Sequence, residues 1–176
     1  MRLLTNRLPA LAGVLLVGLG AGTVAAQQVG SRVGDQAPVV TVNDLDGVPH
    51  DLGQYLGKVP VFLEFWATWC EQCEALMPHV RAVSLEYGDR VKFIGINIAV
   101  NQTPKRVRQF LEDHPVPFMT LFDNLGTSVR AFNVPTTSYV VVIDSDGIIR
   151  YVGLGGDQLF NEILDTVAPA QDSRKP

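Results

Sequence analysis

Cysteine is nearly absent from this chain, with two residues, Cys70 and Cys73, in 176. A bridge between them would close almost no loop, so it would do little as a structural staple. A domain of about 150 residues can bury enough core to fold without one. Histidine is almost as scarce, with three residues, and none stands at a multi-ligand spacing that would mark a metal site. The residue after Cys73 is Glu74, which excludes the CxxCH attachment of a c-type haem. Basic clusters are missing as well. Beyond residue 26 the chain has 12 Lys and Arg against 18 Asp and Glu, a formal charge of −6. Such a domain has no long-range attraction for nucleic acid. Long apolar runs are confined to the start. The whole is 47% hydrophobic and 18% charged, which suits one packed domain.

The start reads as an export signal. Arg2 and Arg7 precede 19 uncharged residues, Leu8 to Ala26, that end with Val24 and Ala26 where a signal peptidase reads small side chains. The competing reading is an uncleaved anchor, since 19 residues are just long enough to span a bilayer, though four glycines dilute them. Either way the basic end stays inside and the rest of the chain lies outside. The expected organisation is a signal over 1–26, a polar lead-in over 27–32, one domain over 33–168 and a polar tail over 169–176.

Within that domain the hydrophobic period changes repeatedly. "VVTVND" alternates as a strand does, and Asp46-Gly47 marks a turn, followed by a short irregular or helical stretch. "VPVFLEFW" is a near-continuous apolar run, as in a central buried strand. Leu76, Val80, Val83 and Tyr87 then fall at three- and four-residue steps, which predicts an amphipathic helix with Pro78 as a kink inside it. "RVKFIGINIAV" is a second buried strand. Thr103 and Pro104 open a helix with an apolar stripe at Val107, Phe110 and Leu111. "FMTLFD" and "LGTSVRAFN" read as a short strand and a short helix. Two β-rich runs flank Asp146-Gly147 as a hairpin, and "DQLFNEILDTVA" closes as a helix. This order predicts an α/β fold with a mixed sheet and a reactive loop at the C-terminal end of a central strand.

That loop carries the two cysteines. Cys70 falls where the strand gives way to the helix, so free N–H groups and the helix dipole favour its thiolate. Cys73 is one turn further in, within reach of a disulfide with Cys70 and more buried. Cys70 can attack a substrate disulfide, and Cys73 can then resolve the mixed disulfide. Glu64 is the only charged residue in "VPVFLEFW". Buried there, it would have a raised pKa and could exchange a proton with the cysteines. Trp66, Trp69 and Val134 are candidates for shielding the site or touching substrate. Asn101 opens a glycosylation triplet that carries little weight.

Taken together, "FWATWCEQC", Pro78 five residues after the second cysteine, and "VPTTSYVVVIDSDGIIRYVG" resemble the TlpA/ResA-like branch of the thioredoxin superfamily over about Val33 to Ala168. The resemblance implies a thioredoxin-like fold with an N-terminal strand extension and an inserted helix and strand. It implies extracytoplasmic thiol–disulfide exchange on exported proteins such as apocytochrome c, with electrons from a membrane thiol donor and no bound cofactor. By the same resemblance Cys70 is the attacking cysteine, Cys73 the resolving one and Pro135 a cis proline against the cysteine loop. The chain departs from the family at Gln72, where proline is usual, and at Leu76, where many relatives have glutamate. Glu64 follows the thioredoxin-type buried acid instead.

Glu71 and Glu74 flank the cysteines and oppose thiolate formation, which favours a reductant over a strong oxidant. Gln72 and Glu71 are therefore candidates for tuning the potential. No paired patch or coiled coil speaks for a dimer, so a monomer is expected. The competing functions are a disulfide-forming oxidant of the same fold, a peroxidase, and a thiol-based copper chaperone with His79 or His114 as a third ligand. Thr68 stands two residues before Cys70 rather than the three a peroxidase pattern requires.

Overall fold

The computed structural model describes residues 30–170. The expected signal over 1–26 lies outside the described residues, as do the first part of the lead-in and most of the tail. Seven strands form one mixed sheet in the order β2-β1-β5-β4-β3-β6-β7. They are β1 (Thr41–Asp44), β2 (Pro49–Asp51), β3 (Val61–Trp66), β4 (Lys92–Asn97), β5 (Met119–Phe122), β6 (Tyr139–Ile143) and β7 (Ile149–Leu154). The helices are α1 (Glu71–Tyr87), α2 (Pro104–Asp113), α3 (Thr127–Ala131) and α4 (Asn161–Val167). β3, β4 and β5 run parallel, whereas β6 and β7 form an antiparallel hairpin beside β3.

The expected alternation of strand and helix is present from β3 to α4. The expected N-terminal strand extension is the β1–β2 pair, docked antiparallel on β5. The inserted helix and strand are α2 and β5, which put β5 between β4 and β1. β2 is the element the pattern missed. It has three residues and begins at a proline, so it has no room for a period-two signal.

The two hairpins close in the same way. Asp44 Oδ1 accepts from the N–H groups of Asp46 and Val48, each at 2.9 Å. Asp144 Oδ1 accepts from Asp146 and Ile148, each also at 2.9 Å. In both, an aspartate folds its carboxylate over a following Asp-Gly turn, as Asx turns do. The other carboxylate oxygen differs in partner: Asp44 Oδ2 meets His50 at 3.0 Å, and Asp144 Oδ2 meets Arg150 at 2.5 Å.

β3 is buried on both faces, which is why its sequence is apolar without alternation. Val61, Leu63 and Phe65 join Ile94, Ile96, Val141 and Ile143 in a core on one face. Phe62 faces the other way, against Leu76, Val80 and Val83 of α1 and Phe160 and Leu164 beside and within α4. All four positions expected to line α1 are buried there, and the helix continues through Pro78. Tyr87 also donates to Asp165 at 2.7 Å, tying α1 to α4. Thr103 caps α2 by accepting from Arg106 N–H at 3.2 Å, with Pro104 as its first residue.

Candidate active site

The parallel strand β3 ends at Trp66, and α1 begins at Glu71. Cys70 is the N-cap residue, in extended conformation at φ −95° and ψ 101°. Its Sγ accepts from the backbone N–H of Cys73 at 3.1 Å, where a serine or aspartate oxygen would ordinarily sit. The sulfur therefore lies on the orphan donors of the first helical turn, which stabilise negative charge on it when the bond is open. The two cysteines are joined in a disulfide with their Cα atoms 5.2 Å apart. Cys70 is 8% exposed and Cys73 2%, so the sulfur nearer the surface is that of the expected attacking residue.

Glu64 lies on the same sheet face as Phe62 and Trp66, because side chains of a strand alternate. Phe62 packs on the body of α1. Trp66 packs in a cluster with Cys70 and Cys73. The carboxyl of Glu64 is thus placed beneath the start of α1, between those two contacts. It is 6% exposed, and desolvation alone pushes its pKa up to about 8. No hydrogen bond or ion pair meets it among the described residues. The residue beside it in register is Gly95. A Cβ at 95 would lie 3.1 Å from Trp66 Nε1 and 3.3 Å from the Phe118 ring, so glycine there lets the indole lie close over the sheet next to the acid.

Trp66 and Trp69 differ in setting. Trp66 is buried and packs on Phe110 with ring centroids 5.6 Å apart. Trp69 is 45% exposed beside Cys70, and its Nε1 donates to Val100 O at 2.8 Å. Glu71 and Gln72 are exposed on the first turn of α1. Val134 is half-buried against the opposite core.

Pro135 departs from the expectation. No peptide bond among the described residues is cis, so the Val134–Pro135 bond is trans, in line with the usual preference of X–Pro bonds. Pro135 is exposed and stands four residues before the first residue of β6. The residue that abuts the end of β3 is Ser138, which has φ +61° and donates its N–H to Phe65 O at 2.9 Å. Its signal was hidden because serine gives no warning of a left-handed backbone.

The histidines have other partners. His79 Nδ1 lies 3.2 Å from Gln158 O, and His114 Nδ1 lies 3.1 Å from Phe110 O with its ring stacked on Phe110. Among the described residues no three His, Cys, Asp or Glu side chains converge as a metal site would require.

Comparison with known proteins agrees with this geometry. The redoxin family profile matches residues 32–167. The chain is 31% identical to the thioredoxin-like protein YneN of Bacillus subtilis (strain 168) over 153 residues, covering 82% of this chain and 89% of that one. It is 30% identical to the thiol-disulfide oxidoreductase ResA of Halalkalibacterium halodurans over 142 residues, 79% of each. Among solved structures it superposes on a putative thiol:disulfide interchange protein DsbE from Chlorobium tepidum with a TM-score of 0.66 and 25% identity, covering 77% of this chain and 94% of that one. A disulfide on the first turn of a helix, at the end of a central parallel strand, is thus set in a fold shared with these proteins. The chain belongs to the redoxin family, as a thioredoxin-fold thiol–disulfide oxidoreductase of the ResA-like branch.

Proposed function

We propose that this chain reduces disulfides in exported proteins, with Cys70 and Cys73 as its working dithiol. The observation that carries the reading is Cys70 as N-cap, its Sγ held at 3.1 Å by the Cys73 N–H and joined to the Cys73 sulfur. In the reduced enzyme the Cys70 thiolate attacks one sulfur of a client disulfide and expels the other as a thiolate, which takes up a proton. Cys73 then loses its proton and attacks Cys70 Sγ. The mixed disulfide breaks, the second client thiolate leaves, and the enzyme is left as the disulfide. Two electrons and two protons pass from the enzyme to the client, so no bound cofactor is required.

Glu64 serves as the proton acceptor for Cys73. A carboxyl held near pKa 8 by burial is matched to a thiol, whose ordinary value is about 8.5. Glu71 and Glu74 in the first turn partly offset the helix dipole at Cys70 and favour the reducing direction. Trp69 offers an apolar surface beside Cys70 for the client segment. The oxidised enzyme is recharged by a membrane thiol donor outside the cytoplasm. The apolar run from Leu8 to Ala26 supports export, and apocytochrome c is the client class the family resemblance favours.

Replacing the resolving thiol tests this directly. Cys73→Ala is expected to arrest the reaction as mixed disulfides between Cys70 and its clients, and non-reducing electrophoresis with mass spectrometry identifies them. Capture of exported thiol proteins supports the reading, and apocytochromes among them support the cytochrome version. A Cys73→Ala enzyme that captures no more than Cys70→Ala contradicts it.

A further inference from the structure

Gln72 stands between the two cysteines, and its Oε1 accepts a 2.8 Å hydrogen bond from the backbone N–H of Gly156. Gly156 lies in the loop from β7 to α4, far from Gln72 in sequence. Two features aim that N–H. The first is the glycine itself, since a Cβ at 156 would come within 2.9 Å of Ala75 Cβ and 3.3 Å of Gln72 O. No side chain fits where the loop meets the first turn of α1.

The second feature is Gln158, an amide only 7% exposed. Its Nε2 donates to Gly155 O at 2.8 Å and to Ser138 O at 3.3 Å. Its Oε1 accepts from the Tyr151 hydroxyl at 3.0 Å. Ser138 and Gly155 are bonded to each other as well, through Gly155 N to Ser138 O at 3.2 Å and Ser138 Oγ to Gly155 O at 2.9 Å. A buried amide is costly unless its donors and acceptor are met. Here they are met by the start of β6, by β7 and by the loop that grips Gln72.

We propose that Gln158 and Gln72 are positioning residues for the Cys70–Cys73 couple. Gln158 fixes the Gly155–Gly156 loop, and the Gly156 N–H holds the Cys-Glu-Gln-Cys turn in the geometry that closes the disulfide. This rests on the thiol–disulfide reading above. The clasp is present with the cysteine Cα atoms at 5.2 Å. A turn held at that spacing raises the effective concentration of each thiol for the other. Loss of the clasp therefore weakens the disulfide relative to the dithiol, and the couple becomes more oxidising.

The test is equilibrium with glutathione, using the full chain, with the oxidised fraction read by thiol alkylation and mass spectrometry. In that exchange the two protein thiols give two electrons and two protons to glutathione disulfide, which becomes two glutathione thiols. Gln72→Met removes the acceptor without changing charge, and Gln158→Met removes the amide that aims the loop. Each is expected to lower the equilibrium constant for disulfide formation severalfold, a tenfold fall being about 30 mV. The double variant is expected to fall no further than the larger single effect, because both act through one clasp.

Gln72 is exposed, so its variant reads the clasp even where Gln158→Met impairs folding. An unchanged constant in Gln72→Met overturns the proposal, as do two effects that multiply. An unsubstituted enzyme that exchanges with glutathione not at all overturns the thiol–disulfide reading itself. One that exchanges normally beside unchanged variants overturns only the clasp.

Discussion

Glu64 has its carboxyl in a largely buried place where no partner among the described residues compensates for the lost water. Burial pushes its pKa from an ordinary 4.5 up to about 8, so between those values the folded protein holds a proton that the unfolded chain has released. Stability is then greatest below pH 4.5 as far as this group is concerned, and is lost as pH rises toward 8. At pH 7 the cost is about 3 kcal/mol. Glu64→Gln is therefore expected to be more stable than the parent at pH 7 and nearly equal to it near pH 4.5. Urea unfolding at the two pH values checks this, and parallel changes in both proteins would contradict it. The same substitution is expected to slow insulin reduction and to remove an inflection near pH 8 from its pH profile. An enzyme made sturdier and slower by one change is the signature of an acid retained for chemistry.

At the scale of elements, the two Asp-x-Asp-Gly hairpins form a matched pair in one chain. Burial draws the Asp144 carboxyl upward. The Ile148 N–H, Arg150 and the Asp146 N–H outweigh that and hold it below the usual carboxylate range. Its contribution is present above that range and is lost as pH falls through it. Asp144→Ala strips the β6–β7 turn of three partners and is expected to cost about 1–3 kcal/mol. Asp44→Ala is expected to cost less, because its side chain is 25% exposed against 12% for Asp144, so water replaces more of what is lost. Thermal unfolding of the two variants ranks them, and the reverse order would contradict the assignment.

These local devices were legible in the sequence because each is written within a few residues. The Asp-Gly turns, Thr103 with Pro104, and the cap position of Cys70 all need only their immediate neighbours. Gln158 was not legible, since its partners lie at Ser138, Tyr151 and Gly155 and meet only when β6, β7 and α4 are assembled. Pro135 misled for a related reason. Its motif matched, but the chain reaches β6 through Ser138, whose positive φ no residue-type rule foretells.

At the scale of the whole molecule, the parallel core strands set the site's location, and in the proposed function the surrounding charges set its direction. β3 delivers Cys70 to the sheet end where α1 begins, and Trp66 and Trp69 divide the work of inner packing and outer surface between them. The fold was legible as a whole because the period changes along the chain are strong, and the small edge strand β2 escaped because it is too short to show one. The central claim is that the Cys70–Cys73 couple gives electrons to clients rather than taking them. The measurement that tests it most directly is the reduction potential of that couple in the full chain, by equilibration with glutathione at pH 7. The account predicts a reducing value, below about −200 mV and toward the roughly −270 mV of thioredoxin. A value near the roughly −120 mV of a disulfide-forming oxidant would contradict it and assign the chain to disulfide formation instead.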